Sequence, residues 1–451
     1  MMGGFFFETA LLPQGWTSRV RVTVEDGVIL GVTLGATPEP DDIREAAVLP
    51  GVPNVHSHAF QRAMAGLAER RGPDHDSFWT WREVMYRFLG RLDPDMVEAI
   101  AAYAYADMLE AGFTTVGEFH YLHRAADGGL YDQPAELALR HVAAAAETGI
   151  GMTLLPVFYA HAGFGGTPPT PGQARFITDI DLFSRIVETC RATSGTKVGV
   201  APHSLRAVTP AELTQVVALA DGGPIHVHAA EQLKEVEDCL AWSGQRPVEW
   251  LLAHQDVGAR WCLVHATHLT PGEREALAGS AAVAGLCPIT EANLGDGVFQ
   301  AAPYLEMGGR WGVGTDSNVS VDAAGELRQL EYAQRLSRLG RNVLATPRRP
   351  STGRALLDGA LRGGAQALGR PIGSIAPGMR ADFVCLDRGC PDLEGRGGDE
   401  LLDAWVFVQG RRLIDRVYAG GSLLVDGGRH RLRDRIDRRY RSAVSALTAA
   451  A

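Results

Sequence analysis

VLPGVPNVHSH (residues 48–58) is an apolar run that ends on two histidines one residue apart. Its length and its valine-rich body read as a buried strand. Side chains alternate along a strand, so His56 and His58 face the same side at its C-terminal end. Seven more runs of this kind follow: FTTVGEFH (113–120), GMTLLPVFYA (151–160), KVGVAPHS (197–204), PIHVHAAE (224–231), WCLVHATH (261–268), AAVAGLCPIT (281–290) and RWGVGTDS (310–317). Helical stretches lie between most of them. One is DPDMVEAIAAYAYADMLEAG; another, TPAELTQVVALA, opens on Thr209, Pro210 and Glu212, the residues of an N-cap and capping box. Alternating strands and helices mean βα units on a parallel sheet, and eight of them over roughly 320 residues predict an α/β fold, a (β/α)8 TIM barrel with insertions.

The two chain ends have a different texture. RVRVTVEDGVILGVTLG (19–35) alternates apolar and polar residues around an Asp-Gly turn, a hairpin signal. ADFVCLD, AWVFVQG and RVYAGGSLLVDGGRH repeat the pattern near the C-terminus, and all three read as strands. The ends are expected to pair as a small β-sandwich domain, since termini often lie close together. The predicted division is residues 1–49 for the first part of that domain, 50–372 for the barrel, and 373–451 for the second part with a terminal helix. That helix, RLRDRIDRRYRSAVSALTAA, is expected to present its charges to solvent.

Composition excludes several classes. The 451-residue chain carries a net charge of −10, which argues against nucleic acid as its main partner. No apolar stretch approaches the roughly 18–20 residues a membrane span needs. The N-terminal stretch lacks a basic segment and Glu8 interrupts its apolar run, so no signal peptide is expected. Six scattered cysteines without a CxxC spacing suggest buried thiols in a cytoplasmic protein. The 43 basic residues include only two lysines, Lys197 and Lys234.

The polar residues gather at the strand ends: His56 and His58, His120 and Tyr121, Tyr159 and His161, His203, His228 and Glu231, His265 and His268, and Asp316. In a (β/α)8 barrel these ends open on one face, where active sites sit. Two inward imidazoles plus a third from a later strand make a nitrogen-rich site suited to Zn²⁺ or Fe²⁺. On the fifth strand His226 and His228 share a face; His228 is nearer the mouth and is expected to be the ligand, with His226 deeper in the core. Glu231, three residues on, stands where a general acid/base is wanted. Asp316 is placed to bind the metal and take a proton from its water, and His265 to hydrogen-bond that water or the reacting centre. His268 reads as a loop residue. Arg82, after Phe78, Trp79 and Trp81, and Arg206, after the fourth strand, can fork onto carboxylates of an anionic substrate. The loop HAGFGGTPPTPG (161–172) has the composition of a cover over the mouth or of a surface connection.

VLPGVPNVHSH, VHAAE, GTDSN and the late block GSIAPGMRADFVCLD together resemble the amidohydrolase superfamily, over nearly the whole chain. Binuclear members of that superfamily bridge two metals with a carboxylated lysine at the end of the fourth strand. Here that strand ends APHSLR, and neither lysine stands there, so the resemblance implies one metal per chain. HSHAFQRAMAGLAE, DSFWTWREVMYR, EFHYLH, HSLRAVTP, HAAEQLKEVEDCLAWSG, CLVHATH and TEANLGDG are similar to the superfamily's iminohydrolases of formimino amino acids. That resemblance implies hydrolysis of N-formimidoyl-L-glutamate, a small anionic substrate, to N-formyl-L-glutamate and ammonia in histidine degradation. It implies zinc on His56, His58, His228 and Asp316, catalysis by Glu231, His265 and Asp316, and substrate binding by Gln61, Arg82, Tyr121, His203 and Arg206. A homodimer is expected on the same ground. One departure is Asn318, where the resemblance leads one to expect histidine. The competing readings are another mononuclear aminohydrolase, acting on guanine, cytosine or a triazine, a peptidase-like amide hydrolase, and a non-catalytic barrel scaffold.

Overall fold

The Asp26-Gly27 turn closes a hairpin, as its sequence predicts. Both residues sit at positive φ, 49° and 81°, and join β2 (Gly15–Glu25) to β3 (Val28–Thr33). This is seen in a computed structural model that describes residues 2–71, 78–192 and 196–449; Asp76 and Ser77 of the tryptophan-rich stretch lie outside the described residues. β1 (Met2–Leu12) pairs antiparallel with β2, with Phe5 opposite Val22, and parallel with β4 (Ile43–Pro50). β4 runs through Gly51 directly into the barrel.

The barrel strands are β5 (Val52–Ser57), β6 (Phe113–His120), β7 (Gly151–Phe158), β8 (Lys197–Val198) with β9 (Ala201–Pro202), β10 (Ile225–Ala229), β11 (Trp261–His265), β12 (Val283–Leu286) and β13 (Arg310–Val313). β8 and β9 share the fourth position. All neighbours pair in parallel. Bridges Val200–Ile225 and Ser204–His228 join the fourth position to β10, and Ser57–Asp316 joins the first strand to the last, so the barrel closes. Every residue of β5, β6, β7, β10, β11 and β12 is buried, the burial expected of parallel strands covered on both faces.

The chain then returns. β14 (Phe383–Leu386) pairs antiparallel with β4 and is followed by β15 (Ile414–Ala419), β16 (Ser422–Asp426) and β17 (Arg429–His430). The two chain ends thus form one continuous sheet of eight strands. A bridge from Val28 to Arg380 ties the β3 edge back to the segment entering β14, so the sheet curls over its own core. Phe5 and Phe7 pack edge-on against Phe383 there, at 5.1 Å between ring centroids, and Phe5 meets Tyr418 at 5.2 Å.

Two elements differ from the sequence expectation. AWVFVQG is not a strand: Trp405–Gln409 continue in helical form from the helix Asp399–Ala404. Leu401 with Trp405 and Leu402 with Val406 are four apart, and this helical spacing buries all four, overriding the alternating pattern. The terminal helix Arg433–Thr448 does not merely present charge to solvent. It docks on the helix Pro94–Glu110, with Tyr440 stacked on Tyr103 at 3.8 Å, Arg433 paired with Asp107 at 2.7 Å and Arg439 with Glu98 at 2.7 Å. Among the described residues no helix is long and apolar enough to cross a membrane.

Asp107 is buried and retains only Arg62 if Arg433 is removed. Arg433→Ala is therefore expected to lower the unfolding free energy by about 3 kcal/mol in urea titrations. A change below about 0.5 kcal/mol would mean the helix is only appended.

Candidate active site

His56 and His58 leave the end of β5 on the same side, and His228 comes from β10 across the barrel. The Nε2 of His56 lies 3.2 Å from the Nε2 of His58 and 3.2 Å from that of His228. Asp316, just past β13, brings Oδ1 to 3.3 Å from His58 Nε2 and 3.6 Å from His56 Nε2. The four residues that the sequence placed together therefore converge. Main-chain carbonyls only accept, so the 2.9 Å contact of His58 Nδ1 with Phe119 O and the 3.0 Å contact of His228 Nδ1 with His203 O put the protons on Nδ1. Both Nε2 atoms then offer lone pairs to the shared point. Burial holds the three imidazoles neutral, drawing His56 down to about 3. Burial would raise Asp316, but its contact with His56 and the positive charge of His265 hold it below the usual carboxylate range. Three neutral nitrogens and one carboxylate fit a divalent cation, and hydrogen bonds among the rings alone do not satisfy converging lone pairs.

Glu231 and His265, which the sequence marks as candidates for proton transfer, stand beside this cluster. His265 Nε2 is 3.7 Å from Glu231 Oε1 and 3.8 Å from Asp316 Oδ2. Burial pushes Glu231 up to about 7. Burial lowers His265, but Glu231, the hydrogen bond to Glu291 and Asp316 outweigh it and hold it near 10. Sequence reasoning missed two carboxylates that set this geometry. Glu291 Oε1 lies 3.3 Å from His265 Nδ1 and also accepts from Cys287 N at 2.8 Å. Glu235 accepts from Ala230 N and Glu231 N, fixing the turn that aims Glu231. Both lie in quoted motifs, but only the fold shows which way they face. The seventh strand, which ends in neither His nor Asp, delivers Cys287, whose sulfur comes within 4.8 Å of ligand atoms of His265 and Asp316. The strand-end rule could have found it. Burial keeps its thiol neutral.

Backbone strain collects at the same rim. Of eleven non-glycine residues at positive φ among the described residues, five are Ala230, His265, Ala266, Asp316 and Asn318. Each such position costs on the order of 1–3 kcal/mol and persists because its surroundings over-determine it. Asn318 shows how: it accepts from Thr315 Oγ1 at 2.6 Å and donates to Asp316 O at 2.9 Å and Ser57 Oγ at 3.2 Å. It thereby ties β5 to the turn that carries Asp316.

Above the cluster lies a narrow cavity lined by Gln61, Arg82, Tyr121, His203 and Arg206, all five expected substrate contacts, together with Glu231, His265 and Asp316. Gln61 Nε2 donates to Tyr121 Oη at 2.8 Å, and its Oε1 is buried without a partner. The Nε atoms of Arg82 and Arg206 are also buried and unpartnered. Arg82 lies over the Trp79 ring at 4.5 Å, so an aromatic face rather than a carboxylate holds it. His226 is deeper, with Nε2 2.8 Å from Ala367 O. His268 lies beyond β11, half-buried. The loop 161–172 is pinned to neighbouring helices, Phe164 stacked on Trp242 at 5.5 Å and His161 meeting Glu212 at 2.9 Å, and none of its residues lines the cavity. Lys197 is exposed at the start of β8, and exposed Lys234 pairs with Asp238, so neither reaches the metal cluster.

Residues 47–424 match the Amidohydrolase family, and residues 4–46 match the family described as Formimidoylglutamate deiminase HutF, N-terminal domain. A formimidoylglutamate deiminase of Pseudomonas aeruginosa is 51% identical over 99% of this chain and 100% of that one. The chain belongs to the formimidoylglutamate deiminase branch of the amidohydrolase family. An 8-oxoguanine deaminase of the same organism is 29% identical over 97% of this chain and 96% of its own. Among solved structures, an amidohydrolase from Brucella melitensis superposes with a TM-score of 0.95 at 53% identity, covering 99% of both chains. An adenosine deaminase from Xanthomonas campestris with bound zinc shares the fold, with a TM-score of 0.83 at 22% identity over 99% of this chain and 98% of that one. The family makes the chain a hydrolase, and its donor set suits a divalent metal.

His228→Ala should purify with little metal, whereas His226→Gln, changed two residues away on the same strand, should keep its full complement. Elemental analysis of the purified proteins checks this; the reverse outcome would reassign the β10 ligand.

Proposed function

We propose that the chain hydrolyses N-formimidoyl-L-glutamate to N-formyl-L-glutamate and ammonia. One observation carries the reading: two arginines with buried, unpartnered Nε atoms, Arg82 and Arg206, border a cavity whose floor is a His₃Asp cluster. A glutamate derivative brings two carboxylates to such a cavity, each able to take a bidentate guanidinium. A neutral purine or triazine brings none. The 51% identical relative adds weight to the same substrate. By the same likeness the reaction belongs to histidine degradation, in the cytoplasm.

His56, His58, His228 and Asp316 would hold one zinc ion, though Fe²⁺ suits the same donors. Bound there, the ion supplies Lewis acidity and a water made acidic enough to ionise near neutrality. Asp316 takes the proton of the attacking water through Oδ2, the oxygen that faces His265. His265, held by Glu291, steadies the developing negative charge. Water adds to the formimino carbon, and its two protons, the one taken by Asp316 and the one left on the adduct's hydroxyl, pass by way of Glu231 to the terminal nitrogen. The carbon–nitrogen bond breaks, ammonia leaves, and the carbon keeps the oxygen as a formyl group. Arg82 and Arg206 clamp the carboxylates, while Gln61, Tyr121 and His203 shape the wall around the glutamate backbone. Binding energy from the far end of the substrate is thereby spent on position at the reacting carbon.

Zinc-loaded protein should release ammonia from formimidoyl-glutamate and not from guanine or cytosine. Arg82→Gln and Arg206→Gln should each lower kcat/KM by about 10- to 100-fold. Glu231→Gln should lower kcat by about 10³-fold with zinc retained. Ammonia from a neutral heterocycle that survives loss of both arginines would sink the substrate assignment.

A further inference from the structure

His58 is gripped from two sides by consecutive residues of β6. Its ring Nδ1–H donates to Phe119 O at 2.9 Å, and the next main-chain N–H, that of Ala59, donates to Glu118 Oε1 at 2.8 Å. Alternation along β6 explains the division. Phe119 points inward, its ring 4.9, 5.3 and 4.5 Å from those of His56, His58 and His228. Glu118 points outward, away from the cavity. Ser57, between the two inward histidines, also points outward, and Ser57 and Glu118 are register partners across β5 and β6. The Ser57 hydroxyl lies against the Glu118 carboxylate and accepts from Asn318 Nδ2 on its other side. The helical turn Ala59–Met64 starts at His58 without a side-chain cap of its own, so Glu118 supplies the acceptor for its first N–H.

We propose that Glu118 is a positioning residue for the metal site: it holds the turn His56–Ala59 in place from outside the barrel, and so sets the separation of two ligands it never touches. Resting on the His₃Asp reading above, this adds a residue that no step of the reaction uses. The carboxyl group is fully buried, and His141, which burial keeps neutral, brings its Nδ1 to 3.6 Å. His141 in turn meets Tyr105 Oη at 3.0 Å. Glu118 is thus backed by the helices Pro94–Glu110 and Glu136–Thr148, which carry Tyr105 and His141. The chain Asn318–Ser57–Glu118–His141 runs from the last barrel strand through the first to the outer helices and crosses the ligand-bearing turn.

The test is zinc affinity in the full-length protein, measured by competition with a chelator of known affinity and without substrate. Glu118→Ala is expected to weaken zinc binding by about 10- to 100-fold, the usual loss when a group behind a ligand is removed. Glu118→Gln keeps an oxygen facing Ala59 N–H and should stay within about threefold of wild type. Unfolding of the metal-free proteins, run alongside, separates lost affinity from lost fold. If Glu118→Ala does not fold, Ser57→Ala breaks the same link from the strand side and should weaken zinc by at least about fivefold. Wild-type affinity in folded Glu118→Ala, or in Ser57→Ala where that variant decides, would overturn the proposal. Wild-type protein that binds no zinc would overturn the metal reading with it, and the two failures are distinguishable because only the second affects wild type.

Discussion

Two carbonyl-bound imidazoles, those of His58 and His228, aim bare Nε2 atoms at one point, and His56 Nε2 lies 3.2 Å from each. That convergence constrains everything around it. Neutral nitrogens at such spacing gain nothing from one another and require a cation, so each ring must be held by its other nitrogen or by packing. His58 and His228 use carbonyls of residues whose own side chains, Phe119 and His203, pack on the rings. Those two carbonyls belong to the neighbouring barrel positions. The metal cluster therefore cannot form before the second and fourth positions are in register with the first and fifth. Completion of the cluster further requires the Ser57–Asp316 bridge that closes the barrel, since Asp316 is its fourth member.

Much of this was legible in the sequence because it rests on period-two alternation and on the rule that parallel strands share one functional face. His56, His58, His228, Glu231, His265 and Asp316 all sit at strand ends, and such a list can be drawn up without coordinates. The choice of His228 over His226 needed only the direction of the strand. What could not be read was anything that depends on a helix or loop folding back. Glu291 acts on His265 from the helix Pro288–Leu294, and Glu235 acts on Glu231 from the helix Leu233–Ser243. In one dimension both are ordinary helix glutamates. AWVFVQG misleads for the opposite reason. Its alternation is genuine, but the helix before it supplies partners four residues back, and tertiary burial decides between the two periods. The terminal helix misleads because a run of arginines looks solvated until its acidic partners, Asp107, Glu98 and Glu147, are seen on helices more than 280 residues away in sequence.

The small β domain has a direct bearing on the site. β4 passes into β5 through Gly51 alone, and Gly51 N donates to Asp382 O. The Asp382 carboxylate also accepts from Thr114 at the start of β6, from Gly420 in the β15–β16 turn, and pairs with Arg380 at 2.9 Å. A Cβ at Gly51 would fall 2.2 Å from Thr114 Oγ1, so the strands approach too closely there for any other residue. The bottom of β5 is clamped by the domain that both chain ends build. Its top is clamped by Asn318 and the β6 end. A strand held at both ends can present two imidazoles with little freedom, which is the preorganisation a metal site needs.

The cavity is also electrically lopsided. Glu231, Asp316 and His265 line its floor beside the cluster imidazoles, Glu291 bonds to His265 from behind, and burial pushes Asp296 up to about 9 and so keeps it uncharged. Arg82 and Arg206 stand at the other end with no carboxylate paired to them among the described residues; burial would lower Arg206, but Glu235 and Glu231 outweigh it and keep it charged. Most residues lining the cavity are buried, so the field along it is screened less than it would be at a surface. On the proposed function, a ligand with carboxylates at one end and the reacting nitrogen at the other would place the carboxylates on the two guanidiniums, whose forked geometry the floor does not offer. Direction matters here because the groups that handle protons, Glu231 and Asp316, act on whichever end reaches the floor. On the proposed function the arginines would do more than add affinity: by holding the carboxylates at their end, they would set which atom of the substrate reaches the metal cluster.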